Sequence, residues 1–221
     1  MGRRLTAEWL GSALLVAVVI GSGIMGDRLA SGNMAVALLG NTLATGAALI
    51  VLILIFGPIS GAHFNPAVTL YFAVQGDIVW RDAGAYVVVQ ILGGLAGAVL
   101  AHLMFELPWL EISNHARTGP GQWVGEFVAT FVLLATIAGC RRGNPAATPY
   151  AVGLIITAGY WFTSSTSFAN PAVTIARSVT DTFAGIRPGD APAFIVAQLV
   201  AALVAVVMFR WLFGRSRTAG G

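Results

Sequence analysis

The sequence predicts an all-α membrane protein with six transmembrane helices and two re-entrant half-helices in an inverted repeat. Hydrophobic residues make up 57% of its 221 residues and charged residues only 10%, too little charge to solvate a globular surface. Six apolar runs each approach the roughly 20 residues that a helix needs to cross hydrocarbon. The motif Asn-Pro-Ala-Val-Thr occurs once in each half of the chain. These three observations fix the expected fold.

The six runs are the candidate spans. In chain order they cover Ala7–Met25, Met34–Phe56, Ala83–Phe105, Trp123–Cys140, Tyr150–Phe168 and Pro192–Phe213. Arg3 and Arg4 precede the first run, as in a signal peptide, but the run is long for one and five more follow. We therefore expect a multi-pass protein of the lipid bilayer.

The arginines predict the orientation, since the chain has no lysine. With the N-terminus inside, one side of the membrane carries Arg3, Arg4, Arg81, Arg141, Arg142, Arg210, Arg215 and Arg217. The other side carries Arg28, Arg117, Arg177 and Arg187. The positive-inside rule then places both termini in the cytoplasm. Because the arginines are scattered over separate loops, they do not favour nucleic-acid binding.

The two halves of the chain resemble each other. AEWLGSALLVAVVIGSG (Ala7–Gly23) matches GEFVATFVLLATIAG (Gly125–Gly139), and the segments that begin at Tyr86 and Phe194 also match. Three spans in each half make the halves enter the membrane from opposite sides. We expect a single transmembrane channel domain over residues 1–221, with inverted repeats at approximately 5–107 and 122–214.

Each half carries a helix start inside the expected membrane. The two motifs are Asn65, Pro66 and Ala67, and Asn170, Pro171 and Ala172. Asparagine is a favoured N-cap, and proline is tolerated at the first helical position because its missing N–H would be unbonded there. Two such half-helices from inverted repeats would meet N-terminus to N-terminus, their dipoles facing one cavity. Each asparagine amide is expected to cap its own helix and to donate its NH₂ group into the lumen.

A third Asn-Pro-Ala, at Asn144, follows Arg141 and Arg142 and has no symmetric mate. We interpret it as ordinary turn chemistry in a loop.

With six spans, SGAHFNPAVT, a second NPA, and Glu8 and Glu126 in corresponding helices, the chain resembles the major intrinsic protein family, the aquaporins and aquaglyceroporins. The resemblance covers nearly the whole length. It implies a homotetramer with one pore per subunit and passive flow of water or small neutral solutes. It also implies that Glu8 and Glu126 are structural, accepting hydrogen bonds from the backbone of the re-entrant loops.

The resemblance also locates a selectivity filter of four positions. Counted from the asparagines, they are Thr45, Ala158, Ser167 and Val173, with Gly159 replacing Ala158 if a loop differs by one residue. Most members of the family have arginine directly after the second NPA, where this chain has Val173. All four side chains are small and uncharged, so we expect an unusually wide, arginine-free filter. Its mixed hydroxyls and methyls suit a small polyhydroxylated solute.

Valine at this position, within FTSSTSFANPAVTIARS, is similar to the AqpS-type channels encoded in bacterial arsenic-resistance operons. This likeness implies a bacterial inner (plasma) membrane protein that passes neutral arsenite, methylated arsenicals and glycerol-like polyols. The alternative is an ordinary water or glycerol facilitator.

Two further residues are candidates for the pore vestibules. Arg177 lies one helical turn beyond Val173, where it could reject cations, snorkel to the interface or pair with Asp181. His63 is expected to line the cytoplasmic mouth rather than bind a metal, because no second ligand has fitting spacing.

Other classes of protein fit less well. A proton-coupled transporter would need titratable groups in series, whereas Glu8 and Glu126 are the two mid-membrane candidates. A structural junction protein with a closed pore remains an alternative. No nucleophile–base pair or metal cluster is evident, so we expect no enzyme activity and no cofactor.

Overall fold

A computed structural model describes residues 1–213 of the chain. Arg215, Arg217 and the last residue of the second predicted repeat lie outside the described residues. Residues 1–213 form eight α-helices. They are α1 (Gly2–Leu29), α2 (Met34–Ser60), α3 (Pro66–Gln75), α4 (Trp80–Met104), α5 (Pro120–Gly143), α6 (Thr148–Phe162), α7 (Pro171–Arg177) and α8 (Ala191–Phe213).

The predicted set of six long helices and two half-helices is confirmed, with one boundary corrected. Five helices (α1, α2, α4, α5 and α8) are long and apolar enough to span a membrane, and α6 is shorter, with 15 residues. The fifth run was predicted to continue to Phe168, but α6 ends at Phe162 because Thr163 turns to an extended conformation and bonds back to Gly159. Residues 163–168 instead form the approach to α7.

The half-helices tie the two halves together. The first half-helix, α3, packs against α8 as well as α4, and α7 packs against α4 and α8. The first and fourth helices pack closely because Gly93 and Gly97 lie against the backbone carbonyls of Trp9 and Ala13. A Cβ at Gly93 would lie only 3.1 Å from the Cβ of Ser12, so a larger residue would push the helices apart.

A long loop, residues 105–119, closes over the chain that follows α7. The backbone N–H of Ser113 donates to the carbonyl of Ser178 at 3.1 Å, and that of Arg187 donates to the carbonyl of His115 at 2.8 Å. Asp181 accepts from both the backbone and the side chain of Asn114, and these bonds lower its pKa below the ordinary value. These hydrogen bonds hold residues 105–119 against the segment that follows α7, at the end of the molecule where α7 ends.

Candidate functional site

The two half-helices begin beside each other at the centre of the molecule. Asn65 caps α3 by accepting from the backbone N–H groups of Ala67 and Val68, at 2.9 and 3.4 Å. Asn170 caps α7 in the same way, at 2.9 and 3.3 Å from Ala172 and Val173. In both cases proline occupies the first turn.

The asparagine amides also join the two loops. Asn65 Nδ2 donates to the carbonyl of Ala169 at 2.7 Å, and Asn170 Nδ2 donates to the carbonyl of Phe64 at 2.8 Å. The sequence interpretation, which left the whole NH₂ group free for the lumen, therefore needs a correction. An amide has two N–H groups, so each asparagine uses one to hold the opposite loop and has one left for a solute.

The loops before the two asparagines have the same unusual backbone. Ala62 and Phe64 have φ of 50° and 49°, and Ser167 and Ala169 have φ of 52° and 48°. A left-handed conformation costs a non-glycine residue about 1–3 kcal/mol, and it persists only where the surroundings hold it. Two buried glutamates, Glu8 and Glu126, supply that support.

Glu8 holds the first loop. Its carboxylate accepts from the backbone N–H groups of His63 and Phe64 at 3.0 and 2.7 Å. The side chains of Ser60 and Gln90 donate to it at 2.6 and 2.8 Å. The two backbone bonds hold the left-handed residues of this loop in a conformation that they would not keep in a free loop.

Glu126 holds the second loop. It accepts from the backbone N–H groups of Phe168 and Ala169, both at 2.8 Å, and from Gln198 at 2.6 Å. Like Glu8, it is fully buried. Because donors already surround both carboxylates, the geometry gives them a positioning role and does not favour them as proton carriers.

A continuous cavity of about 650 Å³ runs past both asparagines. One end, here called the Arg141 end, is lined by Arg4, Asp77 and Arg141. The other, here called the Arg177 end, is lined by Tyr160, Ser167, Val173 and Arg177. Apolar side chains of α1, α2, α5 and α6 line much of the wall between the two ends.

Three of the predicted filter residues line the same cavity. Thr45, Ser167 and Val173 line it and are 2%, 3% and 5% exposed. The prediction that Ala158 belongs to the filter was wrong, because this residue is exposed on the outer face of α6. Gly159 is buried against Ser167, where an added Cβ would lie 2.8 Å from the Ser167 Cβ. The connection between α6 and α7 is thus one residue shorter than the spacing assumed.

Tyr160 is a wall residue that sequence reasoning missed. It is buried, lines the cavity, and its hydroxyl lies 3.4 Å from Thr45 Oγ1. Val152 and Ile156 also line the cavity. The three residues are spaced four apart, and this spacing along one helix face could have identified Tyr160.

Arg177 lies at the same end of the cavity and is only 2% exposed. Its Nε donates to the carbonyl of Ala184, and its guanidinium lies 3.4 Å from the ring centroid of Phe168. The alternatives of snorkelling or pairing with Asp181 are therefore wrong, since Asp181 bonds Asn114 instead.

His63 lines the cavity towards the Arg141 end. Its ring stacks on Phe72 at 4.6 Å, lies edge-on to Tyr86 at 5.4 Å, and places Nδ1 3.1 Å from Thr69 Oγ1. Within residues 1–213 no three His, Cys, Asp or Glu side chains are grouped to hold a metal ion.

The third Asn-Pro-Ala differs from the other two. Asn144 precedes a three-residue 3₁₀ turn, Pro145–Ala147, and in the described part of the chain its side chain makes no cap hydrogen bond. The motif thus serves as a helix cap only at the two central sites.

Comparisons with known proteins agree with this geometry. The sequence model described as "Major intrinsic protein" matches residues 1–167. The chain is 57% identical to "Aquaglyceroporin AqpS" of Rhizobium meliloti (strain 1021), an alignment that covers 97% of this chain and 92% of that protein. It is 31% identical to "Aquaporin Z" of Rhodopseudomonas palustris, over 93% and 91% of the two chains.

A solved structure shows the same fold. The X-ray structure of the aquaglyceroporin from Plasmodium falciparum superposes with a TM-score of 0.72 at 23% identity, covering 96% of this chain and 95% of that chain.

Proposed function

This chain belongs to the major intrinsic protein family and is a passive membrane channel for water and glycerol-type solutes. We propose that its filter is unusually wide. The proposed solutes are small uncharged molecules that carry several hydroxyl groups: glycerol-like polyols, neutral arsenite and methylated arsenicals. The protein carries out no reaction and acts by lowering the barrier to crossing.

One observation carries the proposal. Val173 occupies the position directly after the second Asn-Pro-Ala, is buried, and lines the cavity with Thr45 and Ser167. Valine offers neither a charge nor a long side chain there. The hydroxyl groups of Thr45 and Ser167 can form hydrogen bonds with a solute that has lost its water. The methyl groups of Val173 can contact the apolar side of the solute, its carbon atoms or an arsenic-bound methyl group.

Passage along the rest of the cavity follows from the same chemistry. The unused N–H of each central asparagine can donate to a solute oxygen, whereas apolar side chains line much of the wall. A solute oxygen thus meets a polar partner at the centre, where it would otherwise lose its hydration at a cost of several kcal/mol.

The proposed orientation in the membrane is argued from the positions of the arginines, and the proposed repeat organisation from matched contacts in the two halves. The Arg141 end carries Arg4 and Arg141, which favours a cytoplasmic location for this end and for both termini under the positive-inside rule. The matched contacts of Glu8 and Glu126 support one domain of two inverted repeats. A bacterial inner membrane and a homotetramer with one pore per subunit are proposed from the family alone.

A second candidate, an ordinary water or glycerol facilitator, is favoured by a different observation. Tyr160 lines the cavity beside Thr45, and a bulky aromatic ring at this level favours solutes without an added methyl group. The two candidates differ in the largest solute that crosses.

The test is stopped-flow light scattering from proteoliposomes, with protein-free liposomes as the control. Water, glycerol, arsenite and methylarsenate are compared in the same vesicles, near neutral pH for arsenite and at acid pH for neutral methylarsenate. The proposal expects all four to cross above the lipid background. Exclusion of methylarsenate alone would favour the second candidate, because it is the solute that carries an arsenic-bound methyl group, and no flux above lipid would favour a closed junction protein.

A further inference from the structure

Arg177 is a buried cation on the wall of the cavity. It is the last residue of α7 and lies four residues, about one helical turn, beyond Val173. It is 98% enclosed by protein yet lines the cavity at the end where the filter residues lie. Burying a charge without a partner is costly, so the contacts that stabilise this guanidinium must be identified.

These neighbours hold the guanidinium in place without neutralising it. Nε donates to the carbonyl of Ala184, and the plane of the group lies over the ring of Phe168. The backbone carbonyl of Arg177 accepts from Ile186 at 3.1 Å, which fixes the same loop. Within residues 1–213, no carboxylate forms an ion pair with Arg177, and Nη1 and Nη2 have no hydrogen-bond partner.

The carboxylates on the adjoining loops are engaged elsewhere. Asp181 accepts from Asn114. Asp190 pairs with Arg187 at 2.9 Å and also accepts from the backbone of Arg117.

Glu126 also attracts Arg177 electrostatically, but its oxygens accept from the backbone of Phe168 and Ala169 and from Gln198. Within residues 1–213 the charge of Arg177 therefore has no ion-pair partner and can act on a solute in the cavity.

A second arginine strengthens the positive field. Arg117 donates to the carbonyls of Gly185 and Phe183 at 2.8 and 3.3 Å, and its guanidinium lies 5.2 Å from the centroid of the Phe168 ring. Burial lowers the pKa of Arg117 to about 10, so it stays charged at neutral pH. The guanidinium groups of Arg117 and Arg177 thus both lie against the ring of Phe168, the residue that follows Ser167.

We propose that Arg177 selects solutes by charge, one helical turn away from the residues that select them by size. This inference rests on the proposed function of a wide channel for neutral solutes. In this arrangement Thr45, Ser167 and Val173 set the width, while the free Nη groups of Arg177 repel cations and donate to solute oxygens. A wide filter without its own arginine can then still reject cations.

Urea and guanidinium make a matched pair of probes, because both are planar and of similar size but only guanidinium is charged at neutral pH. Urea entry is measured by light scattering, and guanidinium entry by tracer uptake under a K⁺/valinomycin clamp of the membrane potential. The wild-type protein is compared with Arg177→Gln and Arg177→Lys. Arg28→Gln is the control, since it removes an equal charge from an exposed arginine that bonds the carbonyl of Phe105.

Wild-type protein is expected to pass urea and to exclude guanidinium. Arg177→Gln should raise guanidinium uptake about tenfold or more with urea changed less than about threefold, and Arg177→Lys and Arg28→Gln should both keep guanidinium out. Wild-type protein that passes both probes at similar rates would overturn the inference without any variant. So would a folded Arg177→Gln protein that still excludes guanidinium.

Failure of the proposed function gives a different result. In that case neither urea nor glycerol crosses wild-type vesicles faster than bare lipid, and the urea-to-guanidinium ratio is undefined.

Discussion

A long side chain in place of Val173 should narrow the filter. Val173 is 5% exposed and lines the cavity beside Ser167 and Thr45, so added atoms must enter the space that a solute uses. A passing solute must displace these atoms, and we take the cost of overpacking a protein core, about 1–3 kcal/mol, as the increase in the barrier. Val173→Met should therefore slow glycerol about 5–150-fold, while water, which is smaller, slows less than about threefold.

Val173→Arg adds a charge to the same change in size. Positions 173 and 177 are one helical turn apart on the same face, and two guanidinium groups held about 6 Å apart repel each other by about 3 kcal/mol at an effective dielectric constant near 20. Val173→Arg should thus destabilise the protein more than Val173→Met. Adding Arg177→Gln should remove most of that difference, as a double-mutant cycle can measure.

Stopped-flow light scattering gives the solute rates, and detergent unfolding curves give the stabilities. A folded Val173→Met protein with wild-type glycerol flux would refute the placement of Val173 in the filter. Equal slowing of water and glycerol would refute selection by size. A cycle with no coupling would mean that the two side chains point apart.

Three further substitutions test the side chains that hold the half-helices and the cavity wall in place. Glu126→Gln sets an NH₂ group against one of two backbone donors, so the free energy of unfolding should fall by about 1–3 kcal/mol while the ratio of glycerol to water flux stays constant; a changed ratio at wild-type stability would contradict this. Gly159→Ala should slow glycerol by crowding Ser167, and Ser167→Gly in the same chain should restore the rate; a double variant as slow as the single one would count against the contact. Asn170→Ala removes a helix cap, worth about 0.5–2 kcal/mol, and leaves the buried carbonyl of Phe64 without its donor, which costs about 1–3 kcal/mol more. Asn144→Ala, at a site without a cap bond, should change the unfolding free energy little, and equal losses would refute the distinction.

Local chemistry explains what the sequence could predict. Asparagine is a favoured N-cap and proline a favoured first helical residue, and the symmetric placement of two Asn-Pro-Ala motifs in the two halves distinguished the caps at Asn65 and Asn170 from the uncapped Asn144. The comparison of the two halves paired Glu8 with Glu126, and in the structure both receive backbone donors from the loops before those caps. The run lengths alone located the six longer helices, although the fifth run was predicted to end at Phe168 and α6 ends at Phe162.

Loop geometry explains the errors. Ala158 was placed by counting residues across the turn after α6, and a difference of one residue rotates a helical position by about 100°. Asp181 lies four residues from Arg177, close enough to suggest a pair, but the Asn114 loop takes both of its oxygens. The stacking of Arg177 on Phe168 depends on backbone torsions that residue types do not reveal.

The permeability of wild-type proteoliposomes to glycerol and arsenite, each relative to water and with or without an imposed proton gradient, tests the central claim most directly. The account predicts that both solutes enter well above the lipid background, at initial rates that rise in proportion to concentration and do not change with the gradient. Passage of water alone, or solute uptake that needs the gradient, would contradict it.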